Sequence, residues 1–377
     1  MAAPPVTWLV TGFPAWTARA LVRELVHGDE AARVHLLVPR EGATEAESFL
    51  RELRPLGSTV RVLEGDAVRM DLGLPGRDYV ALAREVDVLA NLYDVSPLPD
   101  DGVGGYGGLY GRLGEPAELT VKAVEEALEF AAAAAPRLRQ VVQLGSLTVA
   151  GDHAGVWTEE DLTAGQRHRT AAERSRHRAE RLLWRARDRV PFTIVRVGTL
   201  LGDSRTGELG WYHGPHDLLE LLLSLPPASS WSRVRPPEGL HAVPVDQLAR
   251  MMRAVGNEPP ERSGALHVAP STRLPLAQLR EALVAGGEAP PRLPRTLRGR
   301  LRKRWGSSAA AVARSLWRID TPAAISTRRA LDVERAAGLT QPRPADYLLH
   351  LAAHVRARVA AESRRLTDAG VEDALDG

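Results

Sequence analysis

"TWLVTGFPAWTARALVREL" spans residues 7–25 and passes from an apolar run, through Thr11-Gly12, into a helical pattern. The reading is a strand over Thr7–Thr11, a tight turn, and a helix from about Ala15 to Val26. Strand, glycine turn and helix in that order make the phosphate-binding end of a dinucleotide fold, where backbone N–H groups at a helix start face an anion. Three glycines normally serve that loop. Here Gly12 keeps the first place, and Ala15 and Ala18 stand at the second and third.

Outward from this stretch, strand and helix patterns alternate. "ARVHLLVPR" gives a second strand, "STVRVLEGD" a third and "VDVLANLYDV" a fourth. "ELTVKAVEEALEFAAAAA" is a long helix, "RQVVQLGS" a fifth strand, Ala171–Ala186 an arginine-rich helix and "PFTIVRVGTLLG" a sixth strand. Such alternation predicts a parallel sheet with crossover helices. From Asp203 onward glycine and proline loops enclose the short helices "HDLLELLLSL" and "PVDQLARMMRAV", and "ADYLLHLAAHVRARVAAESRRL" closes the chain as a helix. The expected organisation is a Rossmann-type α/β domain over 1–202, a smaller substrate lobe over 203–366 interleaved with it, and a flexible acidic tail over 367–377.

Composition narrows the chemistry. With 44% hydrophobic and 25% charged residues the chain is that of a globular protein, and a net charge of +2 argues against a nucleic-acid binder. No cysteine is present, which excludes disulfides, thiolate metal sites and a cysteine nucleophile. The start, "MAAPPVTWLV", has neither a basic region nor a long apolar run, so a cytoplasmic location is expected. Lys122 and Lys303 are the only lysines. The one strong charge run, Arg292–Arg304, places Leu293, Leu297, Leu301 and Trp305 on one helical stripe with arginines around it. It reads either as an amphipathic cover for the substrate lobe or as a dock for an acidic carrier protein or a membrane surface.

Six segments in order resemble an extended short-chain dehydrogenase/reductase (SDR), most closely its thioester-reductase and fatty-acyl-reductase branch. "TGFPAWTARALVREL" stands in the place of TGxxGxxG, and "LEGDAVRMDLGLP" in that of the GD…LGL segment. "VVQLGSLTVAGD" followed by "TEEDL" is similar to the strand with SSxxxYG. "VRVGTLLGDSRTGEL" is similar to RPGxxxGDSxTGE, and "HAVPVDQLA" to VPVDxVA. The resemblance covers roughly residues 6–285 and implies a Rossmann fold, an NAD(P) cofactor and oxidoreductase chemistry on acyl thioesters, aldehydes or ketones.

The resemblance also implies site residues. Thr11, Gly12, Ala15, Trp16 and Ala18 would form the phosphate loop; a methyl group at Ala15 points toward the pyrophosphate and disfavours positive φ. Pro14 removes a backbone donor from the same loop. Arg40 would meet an adenosine 2′-phosphate, favouring NADPH over NADH, or else be a surface arginine. Asp66 and Ala67 would meet the adenine, although an aspartate closing a strand is also ordinary turn chemistry. Tyr93 and Asp94 are bulkier than the small residues the family places beside the dinucleotide. Gly202, Asp203, Ser204, Arg205 and Thr206 would line the substrate pocket, or form a tight turn.

The catalytic pattern departs most. The family binds the substrate carbonyl with a serine or threonine, here Ser146, and transfers the proton from a tyrosine activated by a lysine four residues on. A tyrosine alone, with a pKa of about 10, is a poor acid–base group at neutral pH. Aligning "SRHRAERLL" with SKxxAExLV puts Ala172 at the tyrosine and Arg176 at the lysine. No shift restores the pair, because there is no tyrosine between Tyr110 and Tyr212. His168, one turn before Ala172, and His153 are candidate replacement acids, or surface histidines. The glycine-rich stretch Asp100–Gly111 carries Tyr106 and Tyr110, as a flap or as a plain linker. Three functions stay open: a divergent member without hydride transfer, repurposed for non-redox chemistry in specialised metabolism or lipid biosynthesis; an NADPH-dependent reductase with a replacement acid; and a nucleotide-sensing or scaffold module.

Overall fold

The computed structural model describes residues 5–28, 32–53, 59–93, 116–210, 219, 238–258, 263–285 and 320–368. The flap tyrosines, Asp94, the basic run Arg292–Arg304 and the tail from 369 lie outside the described residues. In chain order the strands are β1 (Val6–Thr11), β2 (Ala32–Val38), β3 (Thr59–Glu64), β4 (Val88–Asn91), β5 (Gln140–Ser146), β6 (Val156–Trp157), β7 (Phe192–Val197), β8 (Thr199–Leu200), β9 (Gly239–Leu240), β10 (Ala242–Val243), β11 (Gly264–Val268), β12 (Leu274–Pro275) and β13 (Ala324–Ile325). The helices are α1 (Trp16–His27), α2 (Ala43–Leu53), α3 (Gly76–Ala83), α4 (Pro116–Ala133), α5 (Ala171–Ala186), α6 (Val245–Asn257), α7 (Leu276–Val284), α8 (Arg328–Ala336) and α9 (Pro344–Asp368).

The chain divides into two units. The first comprises Met1–Val197, Asp246–Ala269 and Ala323–Thr340; the second takes the remainder, so the chain crosses between them several times. The expected change of lobe at 202 therefore falls a few residues inside the second unit.

Seven parallel strands in the order β11-β7-β5-β4-β1-β2-β3 form the sheet of the first unit. Central strands such as β1 and β7 are apolar and buried almost throughout, as a sheet covered on both faces requires. At the rim, β3 is exposed except at Val60 and Leu63, which are half-buried. Helix α1 buries Ala18, Leu21, Val22 and Leu25, a stripe at helical spacing. On one face of the sheet Leu9, Leu37, Leu89 and Val141 pack with Tyr79, Leu82, Phe130 and Leu183 from the helices. Gly256 in α6 lies so close to the Trp8 ring that a Cβ would collide with it.

Two strand expectations are corrected. β11 is a seventh strand where the sequence shows six, and "PFTIVRVGTLLG" is two strands rather than one. Gly198 explains the break: a Cβ there would overlap the backbone of His241, so the chain leaves β7 and pairs anew as β8 with β10. In the second unit, leucines from α7, β9 and β12 pack with Tyr347, Leu351, Val355 and Val359 of α9.

Candidate functional site

The strand order reverses at β1: β2 and β3 lie to one side, and β4, β5, β7 and β11 to the other. Ligands of open α/β sheets bind outside the carboxyl ends of the strands at such a switch point. The loop after β1 turns on Gly12, whose φ is +87°, and a Cβ there would stand 2.6 Å from the Leu92 backbone. Only glycine satisfies both demands. Ala15 has a φ of −54°, so the loop does not ask positive φ of it. Ala18 is buried against the sheet, and Trp16 is half-buried. Helix α1 has no side-chain cap and no acid in its first turn. Its start therefore suits an anion, and the dinucleotide's phosphate end fits these residues.

Just after β3 the carboxylate of Asp66 accepts from Val68 N at 3.1 Å and pairs with Arg69 at 3.5 Å. Burial raises its pKa, against the pull of those two partners. Arg40 is exposed beside β2, and Ala67 is buried. Tyr93 turns into the hydrophobic core with Leu9 and Leu89. Between the central strand ends lies a buried relay that sequence reasoning missed. Thr11 Oγ1 donates to Asn91 Oδ1 at 2.6 Å, and Asn91 Nδ2 donates to Gln143 Oε1 at 2.9 Å. Gln143 Nε2 in turn donates to Leu144 O at 2.8 Å.

Ser146 ends β5, the strand next to β4. Its hydroxyl lies 2.9 Å from Thr148 Oγ1 and accepts from Thr148 N at 3.2 Å. Arg176 Nη1 donates to the same Thr148 Oγ1 at 3.4 Å. The fold thus joins Ser146 and Arg176 through Thr148, a residue the sequence reading did not single out. Helix α5 opens with a cap at Thr170, whose hydroxyl accepts from Glu173 N at 3.1 Å, while Glu173 accepts from Arg169 N at 2.6 Å. That start fixes Ala172 and Arg176 one turn apart on one helix face, with Ala172 buried.

His168 reaches Val149 O at 3.2 Å and stacks on His177 with ring centroids 4.6 Å apart. Burial, aided by His168, pushes His177 down to about 4. His153 lies apart from this pair, edge-on to Trp157 with centroids 5.3 Å apart.

Comparison with known proteins fits this architecture. Residues 104–252 match the NAD-binding family described as male sterility protein. The terminal R domain from the myxalamid PKS-NRPS biosynthetic pathway is 18% identical, with a TM-score of 0.69 over 95% of this chain and 92% of that one. The reductase (R) domain of a nonribosomal peptide synthetase from Mycobacterium tuberculosis is 20% identical, with a TM-score of 0.68 over 95% and 94%. A thiolation-reductase di-domain from an archaeal non-ribosomal peptide synthetase is 15% identical, with a TM-score of 0.68 over 93% and 75%. The fold is the one these reductase domains share. No curated protein sequence matches the chain significantly.

Other segments of the SDR pattern now have physical roles. Arg196, in the place of the family's RPG arginine, is fully buried and binds Glu180 of α5, with Nη2–Oε2 at 2.7 Å. Its Nη1 also lies 3.2 Å from His267 Nε2 in β11. Glu159 of "TEEDL" is buried and accepts from His267 N, Arg329 N and Ala330 N at 3.1, 2.8 and 3.2 Å. It holds β11 against the start of α8, a helix terminus that favours a carboxylate.

In the second unit, Asp203 Oδ1 accepts from Arg205 N, Thr206 N and Thr206 Oγ1 at 2.9, 3.0 and 3.2 Å. Gly202 and Gly207 both have positive φ, and Gly207 approaches the His350 backbone too closely for a Cβ. Ser204 O lies 3.2 Å from His350 Nδ1 of α9. Also in this unit, His241 Nδ1 lies 2.9 Å from Asp320 Oδ1, and Arg273 Nε donates to His241 Nε2 at 3.4 Å. Both His241 and Asp320 are buried, and 79 residues of sequence separate them.

Proposed function

We propose that this protein holds a nicotinamide dinucleotide and a carbonyl ligand of the acyl-thioester class without performing SDR hydride transfer by the usual proton relay. The observation that supports the reading is on α5, where Arg176 reaches Thr148 one turn after the buried Ala172, the residue that the SDR-like register would set at the tyrosine position. An alanine methyl transfers no proton. A guanidinium stays protonated at neutral pH, so it can donate hydrogen bonds but cannot cycle as a base. Ser146 and Thr148 keep hydroxyls able to donate to a carbonyl oxygen, and Arg176 adds a cation beside them. In this reading they bind and orient; the chemistry that follows is non-redox, in specialised metabolism or lipid biosynthesis, or the bound state is itself the signal.

The dinucleotide would lie with its pyrophosphate on Gly12, Ala15 and Trp16 at the start of α1, beside Thr11 and Ala18. Its adenine would lie near Asp66 and Ala67. Arg40 is the candidate for the 2′-phosphate and makes NADP the proposed form. NADPH would bring a transferable hydride, which in this reading stays on the nicotinamide; this chain supplies the hydroxyls of Ser146 and Thr148 and the charge of Arg176. Gly202–Thr206, in the second unit, remains the proposed substrate-pocket segment. A thiolation domain accompanies the reductase in one structural relative, which supports an acyl carrier as partner. The basic run Arg292–Arg304 is the proposed acidic-carrier or membrane contact.

Calorimetric titration with an acyl-pantetheine thioester tests the ligand assignment. Saturable binding is expected, weakened at least about tenfold in Arg176→Met and in Ser146→Ala, a loss of roughly 1.4 kcal/mol. Equal affinity in wild type and both variants contradicts the assignment. Thioester reduction that disappears in His168→Gln would instead establish an active reductase with a replacement acid.

A further inference from the structure

The carbonyl of Val149, the residue after Thr148, takes two side-chain donors. Gln166 Nε2 lies 3.2 Å from it, and His168 Nε2 also 3.2 Å. The same Gln166 Nε2 donates to Leu162 O at 2.9 Å, and Leu162 O has a second donor in His177 Nε2 at 3.1 Å. His177 stacks on His168 with ring centroids 4.6 Å apart. The contacts close a ring that runs from Val149 O through Gln166, Leu162 O, His177 and His168 back to Val149 O. Both lone pairs of each carbonyl are occupied. The Gln166 amide is fully used as well, since its Oε1 accepts from Ala164 N at 2.8 Å.

A second set of contacts pins the same segment. Asp152 N donates to Arg167 O at 3.1 Å, and Asp152 Oδ1 accepts from Arg167 N at 2.7 Å. Gly151 has a φ of +55°, and a Cβ there would collide with Arg167 O. Residues 166–168 are thereby fixed against 149–152, just ahead of the Thr170 cap of α5. The short helical turn Leu147–Ala150, which carries Thr148, is held from this side.

His168 commits its proton to the ring. A carbonyl only accepts, so Nε2 carries the hydrogen, and in the neutral imidazole that is the sole N–H. Arg176 and His177 are neighbours on α5. One donates to Thr148 Oγ1 at 3.4 Å and the other to Leu162 O, so a single turn of α5 grips both the hydroxyl pair and the ring beside it.

We propose that Gln166 and His168 are positioning residues: through Val149 O they fix the turn that sets Thr148 Oγ1 against Ser146 Oγ and Arg176 Nη1. His168 then passes no proton to the ligand. The assignment rests on the carbonyl-ligand reading above. Calorimetry with an acyl-pantetheine thioester, paired with hydrogen exchange of the ligand-free protein, tests it. His168→Phe keeps a ring against His177 without a donor, and Gln166→Leu keeps bulk without the amide. Each should weaken thioester binding about tenfold and speed exchange within residues 147–152 about tenfold. Both side chains are half-buried, and a cooperative melting curve confirms the fold of each variant. His168→Gln sets an amide donor near the place of Nε2 and should bring affinity back to within about threefold of wild type. In a Thr148→Val background Gln166→Leu should cost no further affinity, because the effect runs through that hydroxyl. Full affinity in Gln166→Leu, a further loss in the Thr148→Val background, no rescue by glutamine, or unchanged exchange in both variants would each overturn the proposal. A wild type that binds no thioester strikes the ligand reading alone, and the exchange rates then decide the role of Gln166 and His168.

Discussion

His177 is held neutral by burial against His168, with its pKa pushed down to about 4 from 6.5. The unfolded chain binds a proton there at higher pH than the folded one. The contribution to stability is therefore complete above about 6.5 and is lost as pH falls through about 4. Chemical denaturation across that window should show stability falling with acid, and His177→Gln should flatten the slope; an unchanged slope contradicts the assignment. At the same scale, Ala172 and Arg176 are the residues on which the proposed chemistry turns. Both were legible in the sequence, since a missing tyrosine needs no coordinates. Thr148 was not, because its tie to Arg176 spans 28 residues and leaves no local pattern.

Helix α8 begins on a carboxylate from a distant loop. Glu159 accepts three backbone N–H groups, two at the start of α8 and one from β11. Glu159→Ala leaves these donors buried without it and should destabilise the protein by roughly 1–3 kcal/mol, read from urea unfolding. A loss below about 0.5 kcal/mol would mean that α8 starts without this cap. The Arg196–Glu180 pair ties β7 to α5 with both side chains almost wholly buried. Removing one partner of such a pair typically costs about 3–5 kcal/mol, so Arg196→Met should fall near that range. Arg196→Met/Glu180→Leu should recover much of the loss, and failure to recover would assign the cost to packing alone. The strands β1 to β5 and α5 were readable because each is a long apolar run or a capped periodic segment. β11 was not: "GALHV" is five residues, too short for periodicity to separate strand from helix.

Across the whole molecule, the order of alternating segments made the Rossmann sheet legible, whereas the division of the chain did not follow sequence order. Gly198 ends β7 and sends the chain into the second unit because of a close approach to His241 that no local signal announces. The His241–Asp320 contact belongs to the same class of long-range feature. The loop after β1 turns on Gly12 at positive φ, and the proposal reads it as a dinucleotide loop beside an altered proton relay. No helix among the described residues is long and apolar enough to cross a membrane.

The central proposal joins these two readings, and one fluorescence trace tests both. NADPH emission is followed while protein is added, and then an acyl-pantetheine thioester. The account predicts a saturable rise on adding protein, since a folded site binds by mass action, and a signal that stays level once the thioester is present. No rise at millimolar nucleotide, or a decay of emission after the thioester matched by aldehyde or alcohol formation, would contradict it.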